Sequence, residues 1–144
     1  MIYIDTSCLL KVLRPEPLSE AVWNAIHEED SVMVSVLAEL ETLGQLKSAW
    51  AGGTLTRGQR RQTEARFGVL KNQPPFEFRP LPAAVFPTAL RQRRNSGDQH
   101  CRSLDRLHLA AMEELRALRL MTHDEGQAKA AIEAGFEVVR PGRD

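Results

Sequence analysis

Two short runs, Ile2-Tyr3-Ile4 and Ser31-Val32-Met33-Val34-Ser35, are apolar at consecutive positions, and each leads directly into a helical pattern. Side chains of a strand alternate between its two faces, so a strand that is apolar at every position must be covered on both sides. Strands of this kind with helices between them predict a parallel sheet sandwiched between helical layers, an α/β fold.

The rest of the chain fits that plan. After Ile4, Asp5 closes the first strand, and Thr6 or Ser7 can cap a helical turn over Cys8–Leu13. The Pro15-Glu16-Pro17 stretch breaks it, and a helix follows from about Leu18 to Glu28, with Ala21, Val22, Ala25 and Ile26 at helical spacing. Val36–Trp50 is a long helix stopped by Gly52-Gly53. A polar, arginine-rich helix over Thr56–Asn72 pairs with it as a helical hairpin. Phe76–Leu81 alternates and reads as a third strand, followed by a helix over Ala83–Arg94 and a loop over Asn95–Asp98. Then come an apolar helix over Ser103–Leu118, a strand over Arg119–Thr122, a helix over Glu125–Ala134 ended by Gly135, and a last strand over Phe136–Val139. With no internal repeat, low-complexity tract or linker, residues 1–144 are expected to form a single domain.

Composition excludes several classes. An apolar fraction of 42% and a charged fraction of 26% are those of an ordinary globular chain. No apolar run approaches the roughly 20 residues of a membrane helix. Met1–Ser7 carries no basic leader, and Cys8 and Cys101 form neither a CxxC pair nor a disulfide framework, so a cytoplasmic location is expected. Net charge is +0. The positive charge is nonetheless concentrated, with Arg57, Arg60, Arg61 and Arg66 in one segment and Arg91, Arg93, Arg94 and Arg102 in another. Arginine is the better fork for phosphate or carboxylate, although solvated helix faces account for both clusters equally well. Trp23 and Trp50 read as core or interface anchors.

Ligands of an open parallel sheet bind beyond the carboxyl ends of its strands. Asp5 and Asp124 fall there, each at a strand-to-helix junction where an aspartate also serves as a helix cap. Glu41 lies in a helix whose neighbours Val36, Leu37, Leu40, Leu43 and Leu46 are core-type, and Asp105 lies in a first turn among Leu104, Leu107 and Leu109. Charges near core faces are costly unless paired or metal-bound. Carboxylates without histidine or cysteine at ligand spacing suit a hard cation, magnesium or manganese, and disfavour zinc.

The segments IYIDTSCLLKVL, VSVLAELETL, RSLDRLHLAA and LMTHDEGQAKAAIEAGFEVV, in this order over nearly the whole chain, resemble the PIN domain, and within it the VapC-like toxins of toxin–antitoxin pairs. The resemblance implies a Rossmann-like α/β/α fold with a parallel central sheet. It also implies a Mg²⁺ or Mn²⁺ site and endoribonuclease activity on RNA. Asp5 matches the first aspartate of the family, with Thr6 or Ser7 its hydroxyl companion. Asp105 matches that of the LDxLHLA helix, and Asp124 that of Thr122-His123-Asp124. For the glutamate, the spacing from Ser35 and the following Thr42-Leu43 favour Glu41, while Leu37-Ala38-Glu39-Leu40 also resembles the motif. The two face nearly opposite ways on a helix, so only one reaches the site. His108, one turn after Asp105, reads as a core histidine or as a support for a site carboxylate. The resemblance also implies a homodimer and a cognate VapB-like antitoxin whose C-terminal segment lies in the acidic groove and presents an arginine to the carboxylates; the helical hairpin, with Trp50 and the arginine-rich segment, is where it is expected to grip.

Two phosphotransfer readings fail. A haloacid-dehalogenase-like site needs a second aspartate where Ser7 stands, and a receiver domain needs paired acids and a strand-end lysine, whereas Lys129 lies within a helix. The rival of another class is a PIN-like scaffold that binds RNA or protein without cutting.

Overall fold

The computed structural model describes residues 1–97 and 100–143. In chain order the elements are β1 (Ile2–Ile4), α1 (Thr6–Leu13), α2 (Ser19–His27), β2 (Val32–Ser35), α3 (Val36–Ala51), α4 (Arg57–Leu70), β3 (Phe76–Arg79), α5 (Val85–Asn95), α6 (Ser103–Glu114), β4 (Arg119–Met121), α7 (Glu125–Glu133) and β5 (Glu137–Val139). The strands form one sheet of order β3-β2-β1-β4-β5, and every pair is parallel.

The central strand explains the two apolar layers. Ile2 and Ile4 point to one face and join Val32 and Val34 of β2 with residues of α1 to α4, among them Leu9, Ile26, Ala38 and Phe67. Tyr3, one residue out of phase, points to the other face and joins Met33, Leu120, Val85 of α5, Leu109 of α6 and Ala130 of α7. All three residues of β1 are fully buried. Helices cover both faces of the sheet, as the unbroken apolar strands require.

Several element ends differ from the sequence expectation. The first helix begins at Thr6, and its cap is Asp5, whose side chain accepts from the backbone N–H of Cys8, not Thr6 or Ser7. The third strand stops at Arg79, with Pro80 and Pro82 beyond it unable to donate to a ladder. The helix expected from Ala83 starts at Val85, and Asn95 closes it instead of opening a loop. Asp98, the other end of that expected loop, lies outside the described residues.

The helix expected to reach Leu118 ends at Glu114. Arg116 adopts φ 58°, its N–H bonds to Glu113 O, and the Ala117 N–H bonds back to Met112 O. This is a Schellman stop built on an arginine. The same two bonds end α7 around Gly135 at φ 88°, where the glycine made the stop readable.

The strand order reverses direction next to β1. The chain lays β2 and β3 on one side of it and β4 and β5 on the other. A crevice opens at the carboxyl ends of strands at such a switch point, and the chemistry is sought there.

Candidate active site

Asp5 leaves β1 with its backbone N–H bonded to Met121 O of β4. Its carboxylate is 5% exposed. Oδ1 accepts from Ser7 Oγ at 2.7 Å and from the Cys8 N–H at 3.1 Å, and Oδ2 accepts from Thr122 Oγ1. Those hydroxyls are themselves pinned. Ser7 Oγ accepts from the His123 N–H at 2.8 Å, and Thr122 Oγ1 accepts from the Asp124 N–H at 3.0 Å. Burial pushes the Asp5 carboxyl above its usual range, against the opposing pull of the Thr122 and Ser7 hydrogen bonds.

Glu41 projects from α3 toward α6, and its Oε1 lies 2.7 Å from His108 Nε2. On the other side of the ring, His108 Nδ1 lies 2.7 Å from the hydroxyl of Tyr3, which is 2.6 Å from Ser35 Oγ. A carboxylate only accepts, so Nε2 donates to Glu41. With a neutral ring, Nδ1 then accepts the Tyr3 proton and the Tyr3 oxygen accepts from Ser35. Ser35 Oγ in turn accepts from the Ala38 N–H at 3.2 Å, as the cap of α3. Burial holds the Tyr3 phenol well above its usual pKa, keeping it a hydroxyl. Glu41 is thus tied through two buried side chains to the end of β2.

Asp105 sits in the first turn of α6 and is 8% exposed. Asp124 caps α7, where its Oδ1 accepts from the Gln127 N–H at 2.8 Å. The two acids share one cation. Arg102 donates from Nε to Asp105 Oδ2 at 2.7 Å and from Nη2 to Asp105 Oδ1 at 3.2 Å, and the same Nη2 lies 3.2 Å from Asp124 Oδ2.

Asp5, Glu41, Asp105 and Asp124 therefore line one cleft of about 260 Å³, together with Thr6, Ser7, Gln45, Arg102 and His108. Glu39 is absent from it: it pairs with Lys71, which follows α4. Of the two glutamates left open by the sequence, the structure brings only Glu41 to the three aspartates. His108 plays both parts foreseen for it, buried in the core and hydrogen-bonded to a cleft carboxylate. Sequence reasoning missed Tyr3, Ser35 and Gln45, and singled out Arg102 only as one member of a basic cluster. Gln45 follows Glu41 by one turn and Arg102 precedes Asp105 by three residues, and that spacing was the available signal. Nothing in the sequence marked Tyr3 as more than a strand residue.

The arginine clusters are partly engaged. Arg60 pairs with Glu64 and stacks over Trp50 at 4.6 Å from the ring centre, Arg66 donates to Leu13 O, and Arg91 pairs with Glu113. Arg57, Arg61, Arg93 and Arg94 are exposed.

The donor chemistry of the cleft is that of a hard divalent cation: all-oxygen, carboxylate-rich, with hydroxyls fixing the most buried acid. The arrangement as it stands is a different matter. Among the described residues, no group of three or more His, Cys, Asp or Glu side chains is set to hold a metal ion. The Arg102 guanidinium bridges two of the acids and stands in for a cation. The residue types fit Mg²⁺ or Mn²⁺, which Asp5, Glu41, Asp105 and Asp124 would hold.

Comparison with known proteins agrees with this architecture. Among solved structures, VapC20 of Mycobacterium tuberculosis, described as a sarcin-ricin loop cleaving toxin, superposes with a TM-score of 0.73 at 17% identity, covering 98% of this chain and 100% of that one. FitAcB of Neisseria gonorrhoeae gives 0.70 at 19% identity, with 100% of both chains covered. VapBC2 of Rickettsia felis, solved with a DNA fragment of its promoter, gives 0.71 at 12%, covering 96% of this chain and 98% of that one. At such identities the likeness is one of fold. No curated protein matches the sequence. The family model of the PIN domain matches residues 2–133, and the chain belongs to the PIN domain family.

Proposed function

We propose that this chain is a Mg²⁺- or Mn²⁺-dependent endoribonuclease that hydrolyses phosphodiester bonds in RNA, and that it is the toxin of a VapBC-type toxin–antitoxin pair. The supporting observation is the single cleft shared by Asp5, Glu41, Asp105 and Asp124, carried by elements far apart in the chain. A membership in the PIN domain family and a fold shared with a sarcin-ricin loop cleaving toxin point the same way.

In this reading the four acids hold the divalent ion. A divalent ion in such a site neutralises phosphate charge and lowers the pKa of a bound water. The chain's own groups do the rest. Ser7 and Thr122 hold the Asp5 carboxylate aimed into the cleft, and His108 holds Glu41 from behind. The exposed arginines Arg57, Arg61, Arg93 and Arg94 contact the RNA backbone without reading sequence.

The proposed partner is a small VapB-like antitoxin; a toxin–antitoxin complex of Klebsiella pneumoniae shares this fold with a TM-score of 0.66 at 14% identity. The exposed apolar residues Leu40 and Trp50 on α3 and Val69 on α4 give the helical hairpin a surface for it to grip. A homodimer is part of the same proposal.

RNA cleavage by the wild type and by Asp5→Asn, each with Mn²⁺ and with chelator, tests the reading. Equal cleavage by both proteins would sink it. The lack of a ready-made metal cage among the described residues favours one competitor, a scaffold that binds without cutting. Calorimetric titration with Mn²⁺ separates them, because a scaffold shows no heat that depends on the carboxylates.

A further inference from the structure

Arg102 occupies an unusual position for a surface arginine. It precedes the first turn of α6 in extended conformation, and its side chain is 66% exposed. Its guanidinium nevertheless lies in the acidic cleft, forked onto Asp105 and reaching Asp124. Among the described residues those two acids are the only hydrogen-bond partners of the guanidinium. The Asp105 side chain is only 12% exposed, so the acid is fixed while the arginine is held by its charge contacts and not by packing.

Two neighbouring carboxylates repel, and a cation between them offsets that repulsion. A planar fork does this well, since it meets one carboxylate with two donors and still reaches the second. A divalent ion in the cleft would claim the same oxygens. Guanidinium and metal are therefore competitors for Asp105 and Asp124. Once displaced, the arginine remains on a long exposed arm at the mouth of the cleft, where the first group it meets is whatever anion enters.

We propose that Arg102 is a displaceable occupant of the acidic cleft, which holds Asp105 and Asp124 in place until a divalent cation arrives. It then turns to bind a phosphate of the incoming RNA next to the cleaved bond. The inference rests on the metal-dependent nuclease reading given above. It adds a ligand exchange inside the chain itself: one side chain serves first as counter-ion to the protein and afterwards as counter-ion to the substrate.

The test is calorimetric titration of Mn²⁺ into wild type, Arg102→Gln, Arg102→Lys and Asp105→Asn, with circular dichroism to show that each is folded. Removal of the competitor should tighten Mn²⁺ binding roughly tenfold in Arg102→Gln. Lysine keeps the charge but cannot span both acids as a fork, so Arg102→Lys should also tighten it, by less. At saturating Mn²⁺, Arg102→Gln should raise the KM for RNA. Affinity for Mn²⁺ that is unchanged in Arg102→Gln, or tightened there but not in Arg102→Lys, overturns the exchange. An unchanged KM overturns the phosphate role. Asp105→Asn distinguishes the two levels of the argument. If it binds Mn²⁺ like wild type, the metal reading itself falls; if it loses binding while Arg102→Gln matches wild type, only the role of Arg102 falls.

Discussion

His108 Nε2 and Glu41 Oε1 stand 2.7 Å apart, joining α6 to α3 across the floor of the cleft. The ring is 2% exposed, and its other nitrogen is held by Tyr3 from the strand beneath. A glutamate on a long flexible stem is thereby fixed at its tip.

The hydroxyl of Tyr3 can be removed without emptying the core. Tyr3→Phe keeps the ring but leaves His108 Nδ1 and Ser35 Oγ without their buried partner. An unsatisfied buried polar group costs about 1–3 kcal/mol. Urea unfolding should show a loss of that size, and Mn²⁺ binding should weaken by a few-fold as Glu41 gains freedom. Unchanged midpoints would mean that the chain of hydrogen bonds carries no stability.

The two glutamates of α3 should behave oppositely. Glu41→Gln removes a cleft carboxylate and should lower RNA cleavage at least tenfold. Glu39→Gln breaks only the ion pair with Lys71 at the surface, worth about 0–1 kcal/mol, and should leave cleavage within about twofold. The opposite ranking would move the site glutamate to Glu39.

Asp5 makes a prediction about acid and stability. Burial raises its pKa in the folded protein above the ordinary 3.8. Such a group favours the fold when protonated; that contribution is complete below the unfolded pKa and is lost as pH rises through the folded one. At neutral pH in chelator, Asp5→Asn should therefore melt at the same temperature as wild type or higher, with the gap narrowing as pH falls toward 4. Added Mn²⁺ should raise the melting temperature of wild type more than that of the variant. A variant that melts well below wild type at pH 7 in chelator contradicts the argument.

Both thiols should be inert in the folded state. Cys8 and Cys101 are buried, and burial pushes both thiols up in pKa, so thiolate appears only at higher pH. A disulfide reagent at pH 8 should react slowly with the native protein and fully with both cysteines in guanidinium chloride. Rapid native labelling of either would show an opening absent from this structure.

The fold was legible where one residue type admitted one reading. Ile2 to Ile4, three consecutive apolar residues closed by Asp5, read as a doubly covered strand, since successive strand side chains point to opposite faces. Gly135 announced the end of α7, whereas Arg116 makes the same stop after α6 with a side chain that seldom adopts that conformation. The site divides similarly. Asp5 and Asp124 were legible as acids at strand ends. The choice between Glu41 and Glu39 depended on how α3 is turned toward α6, which only packing decides. Arg102 looked like one arginine among four, and its meeting with Asp124 depends on how α6 packs beside α7. Tyr3 was hidden by its own hydrophobicity.

The bond from Thr122 to Asp5 has a consequence for synthesis of the protein. A ribosome extends the chain from its amino end, so Asp5 emerges first, long before the strand whose hydroxyl grips it. Until β4 is made and inserted beside β1, the nascent chain has neither Thr122 nor Asp124 and cannot assemble the cleft. Whatever chemistry the cleft performs is withheld until Thr122 and Asp124 have been synthesised.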